Sequence, residues 1–399
     1  MNQVRRFGVT AREMMRGVLI VIGYLLVSLV PSDNSLWVFT SHAGGTFAEN
    51  SKYQFLYSSR QEGIRTVWIS TSPETVAAVR EAGYEAYRYS SLKGKIILLR
   101  SGVFVSSHPI LKPFGANATV IQLWHGNMLK RMGQDKEEME SGILRRLYHR
   151  TIGRNWDYFV VTSSGKPAEH ARSAYGLTDD QLLVTGYPRT DVLLREEPDA
   201  MVDIQDEIQE LFETLDGDGP LICLMPTWNG GRTAETRFSQ EHVALEELDS
   251  MLASFDANLM IKQHAHTRTP LDTSGLERIV TISTTIDIYP FLQYIDIVIT
   301  DYSSIQFDFL LVDNPLVFYP YDLEEYVENR GLYFEYESFV PGPVAKDPAG
   351  LNGVVESVLK DVDAYAEARQ QLREVYFAFQ DGKACERIHN RVVEMVRCE

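Results

Sequence analysis

IDIVITDYSSIQFDFLL, residues 295–311, joins an apolar β-branched run, a polar quartet and a second apolar stretch. Ile295–Thr300 reads as a strand. Asp301-Tyr302-Ser303-Ser304 then opens a stretch whose Ile305, Phe307, Phe309 and Leu310 predict a helix, with Ser or Asp at its N-cap. Strand followed at once by helix is the repeating unit of a parallel α/β layer.

The same alternation runs from Leu36 onward, on both sides of this stretch. Upstream strands are expected at Leu36–Thr40, Thr66–Ser70, Gly102–Ser106, Thr119–Leu123 and Tyr158–Thr162. In the second half they are expected at Leu221–Met225, Asn258–Lys262, Ile279–Ile282 and Leu316–Tyr319, beside the run already quoted. The acidic stretch Glu196–Gly219 separates the two sets and marks the expected lobe boundary. At 399 residues the chain is too long for one ordinary core and fits two domains.

Polar residues gather where these strands end. Trp124-His125-Gly126 follows the Thr119 strand, and Thr162-Ser163-Ser164 ends the Tyr158 strand. Pro226-Thr227-Trp228 follows the Leu221 strand, and Gln263-His264 follows the Asn258 strand. With Asp301–Ser304 this makes five clusters. Open parallel sheets bind ligands beyond the carboxyl ends of their strands, so the set points to one inter-lobe cleft.

The residue types suit phosphate chemistry. Two adjacent serines at a strand-to-helix turn place hydroxyls beside free backbone N–H groups, although simple capping would explain one of them. Gly126 would let a ligand approach the backbone behind His125. Imidazole titrates near neutrality, so one of His125 and His264 can take a proton from an attacking hydroxyl. The other, with Lys262, can offset phosphate charge. A metal on His264 and His266 is the rival reading, but no Cys or carboxylate spacing completes such a site, and neither metal nor cofactor is expected. No GxGxxG or GxxxxGK[ST] pattern occurs, which leaves a Walker-type NTPase or ordinary nicotinamide enzyme unsupported.

Composition sets outer limits. Apolar content of 44% and charged content of 23% match a soluble globular chain. The formal charge of -17, from 55 acidic and 38 basic residues, argues against a nucleic-acid partner. Cys223, Cys385 and Cys398 show no paired spacing, as expected of a reduced intracellular protein. Two segments depart from the acidic background. Arg5, Arg6, Arg12 and Arg16 precede the apolar run Val18–Val30, which is short of the roughly 20 residues a span requires. It lacks an A-x-A-like cleavage site, and the basic flank favours an interfacial anchor over a buried helix. Ile143–Arg154 carries Arg145, Arg146, Arg150 and Arg154 with no acid, either a solvated face or a patch for an anionic acceptor or headgroup.

TDYSSIQFDFLLVDNPLVFYPYDLEEYVENRGLYFEYESFVPGPV, Thr300–Val344, resembles the signature of CDP-glycerol glycerophosphotransferases, the teichoic-acid polymerase and primase family. The likeness continues in family order through PTW at Pro226–Trp228, GYPRTD at Gly186–Asp191, QLWHG at Gln122–Gly126 and LWVFTS…ENSKYQF at Leu36–Phe55. It implies an α/β fold with two Rossmann-like lobes of the GT-B type around a donor cleft. A membrane-associating segment at residues 1–33 would precede an acceptor lobe at 34–200 and a donor-binding lobe at 201–399.

The implied reaction moves glycerol phosphate, or a related polyol phosphate, from a CDP-linked donor to a lipid-linked or polymeric acceptor and releases CMP. The enzyme would sit peripherally on the cytoplasmic face of the cell membrane. His125 matches the family's tryptophan-histidine-glycine histidine, and His264 the histidine of its lysine-x-histidine motif. The candidate catalytic residues are therefore His125 and His264. The candidate donor-binding residues are Gly126, Asn127, Pro226, Thr227, Lys262, Asp301, Ser303 and Ser304. Two departures flank them: Asn127-Met128 where the family has Thr-Pro, and Ala265 where it has proline. A GT-B glycosyltransferase using a nucleotide-sugar and a non-catalytic membrane scaffold of the same fold are the alternatives.

Overall fold

Runs such as Val103-Phe104-Val105 and Ile297-Val298-Ile299 have no polar face, so both sides of their sheets must be covered. A computed structural model describes residues 30–108, 117–136, 156–195, 215, 219–227, 238–263, 271–283 and 286–398. Among these residues the strands are β1 (Asp33–Thr40), β2 (Arg65–Ser70), β3 (Ala86–Arg88), β4 (Ser101–Ser106), β5 (Thr119–Gln122), β6 (Tyr158–Val161) and β7 (Leu182–Val184). They continue as β8 (Leu221–Met225), β9 (Asn258–Ile261), β10 (Ile279–Thr281), β11 (Ile297–Thr300) and β12 (Leu316–Phe318). The seven-stranded sheet has the order β3-β2-β1-β4-β5-β6-β7, and the five-stranded sheet the order β10-β9-β8-β11-β12. The strand pairs β1–β2, β1–β4, β8–β9 and β8–β11 are all parallel.

All ten expected strands form. β3 and β7, three residues each, were not expected. The fold was expected to begin near Leu36, but β1 begins at Asp33, whose carboxylate accepts from the Ser35 amide and hydroxyl. The run Val18–Val30 falls outside the described residues except for Val30, and the stretch Glu196–Gly219 does so except for Leu215 and Gly219. No helix among the described residues is long and apolar enough to cross a membrane.

Contacts divide the described chain into two units. One runs to Trp124 and takes in Asn155–Phe159 and the chain from His389; the other takes His125–Arg154 and Val160–Ile388. In the first, helices α1 (Glu49–Ser58), α2 (Pro73–Glu81) and α3 (Leu92–Arg100) connect the strands. Ser72 and Ser91 cap α2 and α3 by accepting from the Thr75 and Gly94 amides.

In the second unit, helices α4 (Lys166–Tyr175), α5 (Leu245–Ser254), α6 (Tyr289–Leu292), α7 (Ile305–Phe309), α8 (Leu323–Arg330) and α9 (Tyr336–Phe339) precede α10 (Pro348–Lys360) and α11 (Ala366–Tyr376). Helix α12 (Ala384–Cys398) ends the described chain and spans the boundary between the units. Leu245, Leu248 and Leu252 of α5 and Leu351, Val355 and Val358 of α10 recur at helical spacing. They bury against Ile222, Leu224, Leu259, Ile299 and Val317 of the five-stranded sheet. Each such side chain contributes roughly 1.5–3 kcal/mol on burial.

Candidate active site

In the five-stranded sheet the strand order reverses between β8 and β11, and the crevice beyond the carboxyl ends at such a reversal is where α/β sheets hold ligands. Pro226-Thr227 leaves β8 there and Asp301–Ser304 leaves β11. Asp301 is buried and ties the two ends together. Its carboxylate accepts the Thr227 amide at 2.8 and 3.0 Å, the Thr227 hydroxyl and the Tyr302 amide. The Tyr336 hydroxyl donates to the Asp301 carbonyl at 2.6 Å. Burial pushes the Asp301 carboxyl up to about 6, against the pull of these donors and of Lys130. Asp301 and Thr227, both expected to hold the donor, bond to each other and so join the ends of β8 and β11.

The loop after β5 arrives with unusual backbone. Trp124 has φ +59°, costly for a bulky residue, and is held by surroundings that fix it. Its amide donates to Gln122 Oε1 at 3.0 Å, its carbonyl accepts from Asn50 Nδ2 at 2.8 Å, and its ring packs on Trp156 and Phe159. His125, partly exposed, comes next. Gly126 has φ +130°, and a Cβ there would lie 2.7 Å from Ser304 Oγ and 2.8 Å from Arg189 Nη2. Only glycine fits, so the backbone beside His125 rests directly on the second serine of the Asp301–Ser304 block. Asn127 is buried, and its Oδ1 accepts the Thr162 hydroxyl at 2.8 Å.

Sequence reading assigned no role to Arg189, Asp308 or Tyr289. Arg189 lies within the GYPRTD stretch and is buried. Its Nε and Nη2 donate to Asp308 Oδ2 at 3.0 and 2.6 Å, and the Tyr289 hydroxyl donates to the same oxygen at 2.7 Å. The guanidinium also lies 4.7 Å over the Tyr289 ring. The available signal was Asp308, an acid between the apolar Phe307 and Phe309. Removing one member of such a buried pair typically costs about 3–5 kcal/mol, which fixes Arg189 against Gly126.

Lys130 was also missed. Its amine lies 5.6 Å over the Tyr326 ring, which stacks on Tyr302 at 3.7 Å. Burial pulls its pKa down to about 8, partly opposed by Asp301. The chain here is strapped to the segment after α8: the Arg131 amide donates to Gly331 O and the Tyr333 amide to Leu129 O, both at 3.1 Å. The loop that carries His125 is therefore anchored on two sides.

The serine pair departs from the expected cap. Helix α7 is only five residues long, Ser304 already has helical φ, and its side chain makes no capping bond. Ser303 Oγ accepts the Ile305 amide only at 3.4 Å. Both serines are partly exposed, as are Pro226 and Lys262. Lys262 follows β9, next to β8, so it lies at the same carboxyl edge; its amide donates to Leu224 O at 2.9 Å. His264, Ala265, His266 and Trp228 lie outside the described residues, as do Arg145, Arg146, Arg150 and Arg154. Among the described residues no group of three His, Cys, Asp or Glu is placed to hold a metal ion. One sheet edge thus carries two serine hydroxyls and Lys262, with the His125 loop packed on Ser304. These are groups able to bind a phosphate-rich ligand and accept a proton.

The family profile of CDP-glycerol:poly(glycerophosphate) glycerophosphotransferases matches residues 22–394. The chain is 27% identical over 367 residues to a teichoic acid poly(glycerol phosphate) polymerase of Staphylococcus epidermidis, an alignment covering 88% of this chain and 49% of that protein. It is 26% identical over 385 residues to a teichoic acid ribitol-phosphate primase of Bacillus spizizenii, covering 94% and 95%. It therefore spans about half of the first relative and nearly all of the second. The solved structure of the wall teichoic acid polymerase TagF superposes with a TM-score of 0.78 at 24% identity, covering 97% of each chain, so the fold is shared.

Proposed function

The chain belongs to the CDP-glycerol:poly(glycerophosphate) glycerophosphotransferase family, and from that premise we propose that it transfers glycerol phosphate, or a related polyol phosphate, from a CDP-linked donor to an acceptor hydroxyl. The acceptor oxygen bonds to the β-phosphorus as the bridging bond to CMP breaks. The hydroxyl proton passes to a base, and negative charge gathers on the departing CMP oxygen. His125 serves as the base, while Lys262 and His264 offset phosphate charge; exchange of roles between the two histidines is the variant reading. Ser303 and Ser304 donate hydroxyls to the donor phosphates. One observation carries the assignment: Gly126 packs on Ser304 and Arg189, which sets the His125 loop against the serine pair at the sheet's reversal point.

The wider arrangement proposed is the two-lobed GT-B type, with residues 34–200 serving the acceptor and 201–399 the donor. Two parallel sheets, each with its own reversal of strand order, support it. The acceptor is lipid-linked or polymeric, and the enzyme works peripherally on the cytoplasmic face of the cell membrane. The arginines flanking Val18–Val30 support that location.

The test is nucleotide release by purified protein from CDP-glycerol, CDP-ribitol and a UDP-sugar, with and without a lipid-linked acceptor. CMP from one CDP-polyol, accelerated by acceptor, is expected. Turnover confined to the UDP-sugar would replace this reading with a glycosyltransferase.

A further inference from the structure

We infer that the segment Arg88–Arg100 forms a surface that docks on an anionic lipid bilayer. RYSSLKGKIILLR carries Arg88, Lys93, Lys95 and Arg100 and no acid, in a chain of net charge -17. It is also where large apolar side chains face water. Leu92 is 76% exposed, Ile96 46% and Tyr89 43%. Leu92 and Ile96 stand four apart on α3 and share a face, while Gly94, Ile97 and Leu98 are buried on the other. The helix is firmly placed: Ser91 caps it, and a Cβ on Gly94 would lie 2.3 Å from the Arg88 carbonyl.

The Lys93 ammonium lies over the Tyr87 ring, 4.5 Å from its centroid. Three acids face this segment, Glu85 near Lys93, Glu74 near Arg88 and Asp33 near Arg100. Arg65 bonds Glu85 at 2.7 and 2.9 Å, so five cations stand against three acids and the surface stays net positive. A fixed helix with apolar residues on an exposed face, basic residues beside them and a tyrosine at the margin is the composition of an interfacial element. Charge decides the occupant. Four cations concentrated on an acidic protein match a negatively charged leaflet, where each contributes attraction at the surface. The inference deepens the peripheral-membrane reading above and rests on it; the transferase reading stands apart.

The test uses the full chain and vesicles of phosphatidylglycerol or phosphatidylcholine, read by flotation and fluorescence. The parent should float with phosphatidylglycerol and far less with phosphatidylcholine. Lys93→Ala with Lys95→Ala should weaken that binding about 30-fold, each lysine contributing a factor of about five at the surface. Leu92→Ser with Ile96→Ser should also weaken it, with CMP release on a soluble acceptor unchanged in both pairs. Should a pair fold poorly, Leu92→Trp at this exposed position still decides: its difference emission should shift to shorter wavelength on phosphatidylglycerol vesicles. Flotation with unshifted emission and unaltered variants would overturn the surface, leave the membrane reading standing and turn attention to residues 1–33 and Ile143–Arg154. Equal flotation with both lipids would also overturn it. No flotation of the parent would remove both the surface and the membrane reading, while CMP release would still report on the transferase.

Discussion

Gly126 has two reasons to be glycine, its left-handed φ and the absence of room for a Cβ between Ser304 and Arg189. Arg189 is fixed by Asp308, so an added methyl must displace the Ser304 hydroxyl. Gly126→Ala is therefore expected to cost about 1–3 kcal/mol of stability through backbone strain. It should also raise the KM for the CDP-linked donor, measured by CMP release beside a thermal melt. Asp301 gives a pH signature. Its carboxyl ordinarily titrates near 3.8 and is raised to about 6 by burial. The stability linked to it is fully present below the lower value and is lost as pH rises through the upper one, by up to about 3 kcal/mol. Asp301→Asn should be less stable throughout, since the Thr227 and Tyr302 donors lose acceptors, yet flatter in its stability between pH 4 and 6. Urea titrations across that range would show it; an unchanged slope would remove Asp301 as the source. These positions were legible because strand ends could be located from the pattern. Arg189 with Asp308 was not, because an acid between Phe307 and Phe309 signals that a partner is needed but not that it lies 119 residues away.

Elements are held by contacts that are distant in sequence. The Asp191 carboxylate accepts the amides of Ala384 and Cys385, both at 2.8 Å, and so satisfies the first turn of α12. Burial raises its pKa while those two amides oppose the shift. Asp191→Ala should lower stability by about 1–2 kcal/mol, the usual value of an N-cap, with Asp191→Asn intermediate because one acceptor remains. Denaturant midpoints check this; unchanged midpoints would mean that water satisfies the helix end equally well. The strands were readable because buried parallel strands are dense in β-branched and aromatic residues. The expected serine cap on α7 failed because Ser304 itself adopts helical φ, which turns its hydroxyl from capping. β3 ends on the charged Arg88 and β7 is two leucines and one valine, so neither has the β-branched and aromatic density of the equally short β10 and β12.

At the scale of the whole molecule, the acidic chain concentrates basic residues in Arg5–Arg16, Arg88–Arg100 and Ile143–Arg154. β1 begins at Asp33, and Asn34 Nδ2 donates to Val396 O at 2.8 Å, so a truncation should stop before Ser32. Deleting residues 1–31 should leave a folded protein that cleaves donor and uses a short soluble acceptor normally but serves a membrane-embedded acceptor poorly. Confinement of enzyme and acceptor to one surface raises their effective concentration, and the deletion removes part of it. Aggregation of the truncated chain would instead make the segment part of the core. The central claim is that one site, built where the His125 loop meets the Asp301–Ser304 block, moves a polyol phosphate from a CDP-linked donor. The most direct measurement is mass analysis of a soluble polyol-phosphate acceptor after incubation with CDP-glycerol or CDP-ribitol, alongside CMP release. The account predicts acceptor growth by whole polyol-phosphate units with one CMP per unit, at least about 100-fold slower in folded His125→Ala. Transfer of a sugar from a UDP-sugar instead, or undiminished growth with His125→Ala, would contradict it.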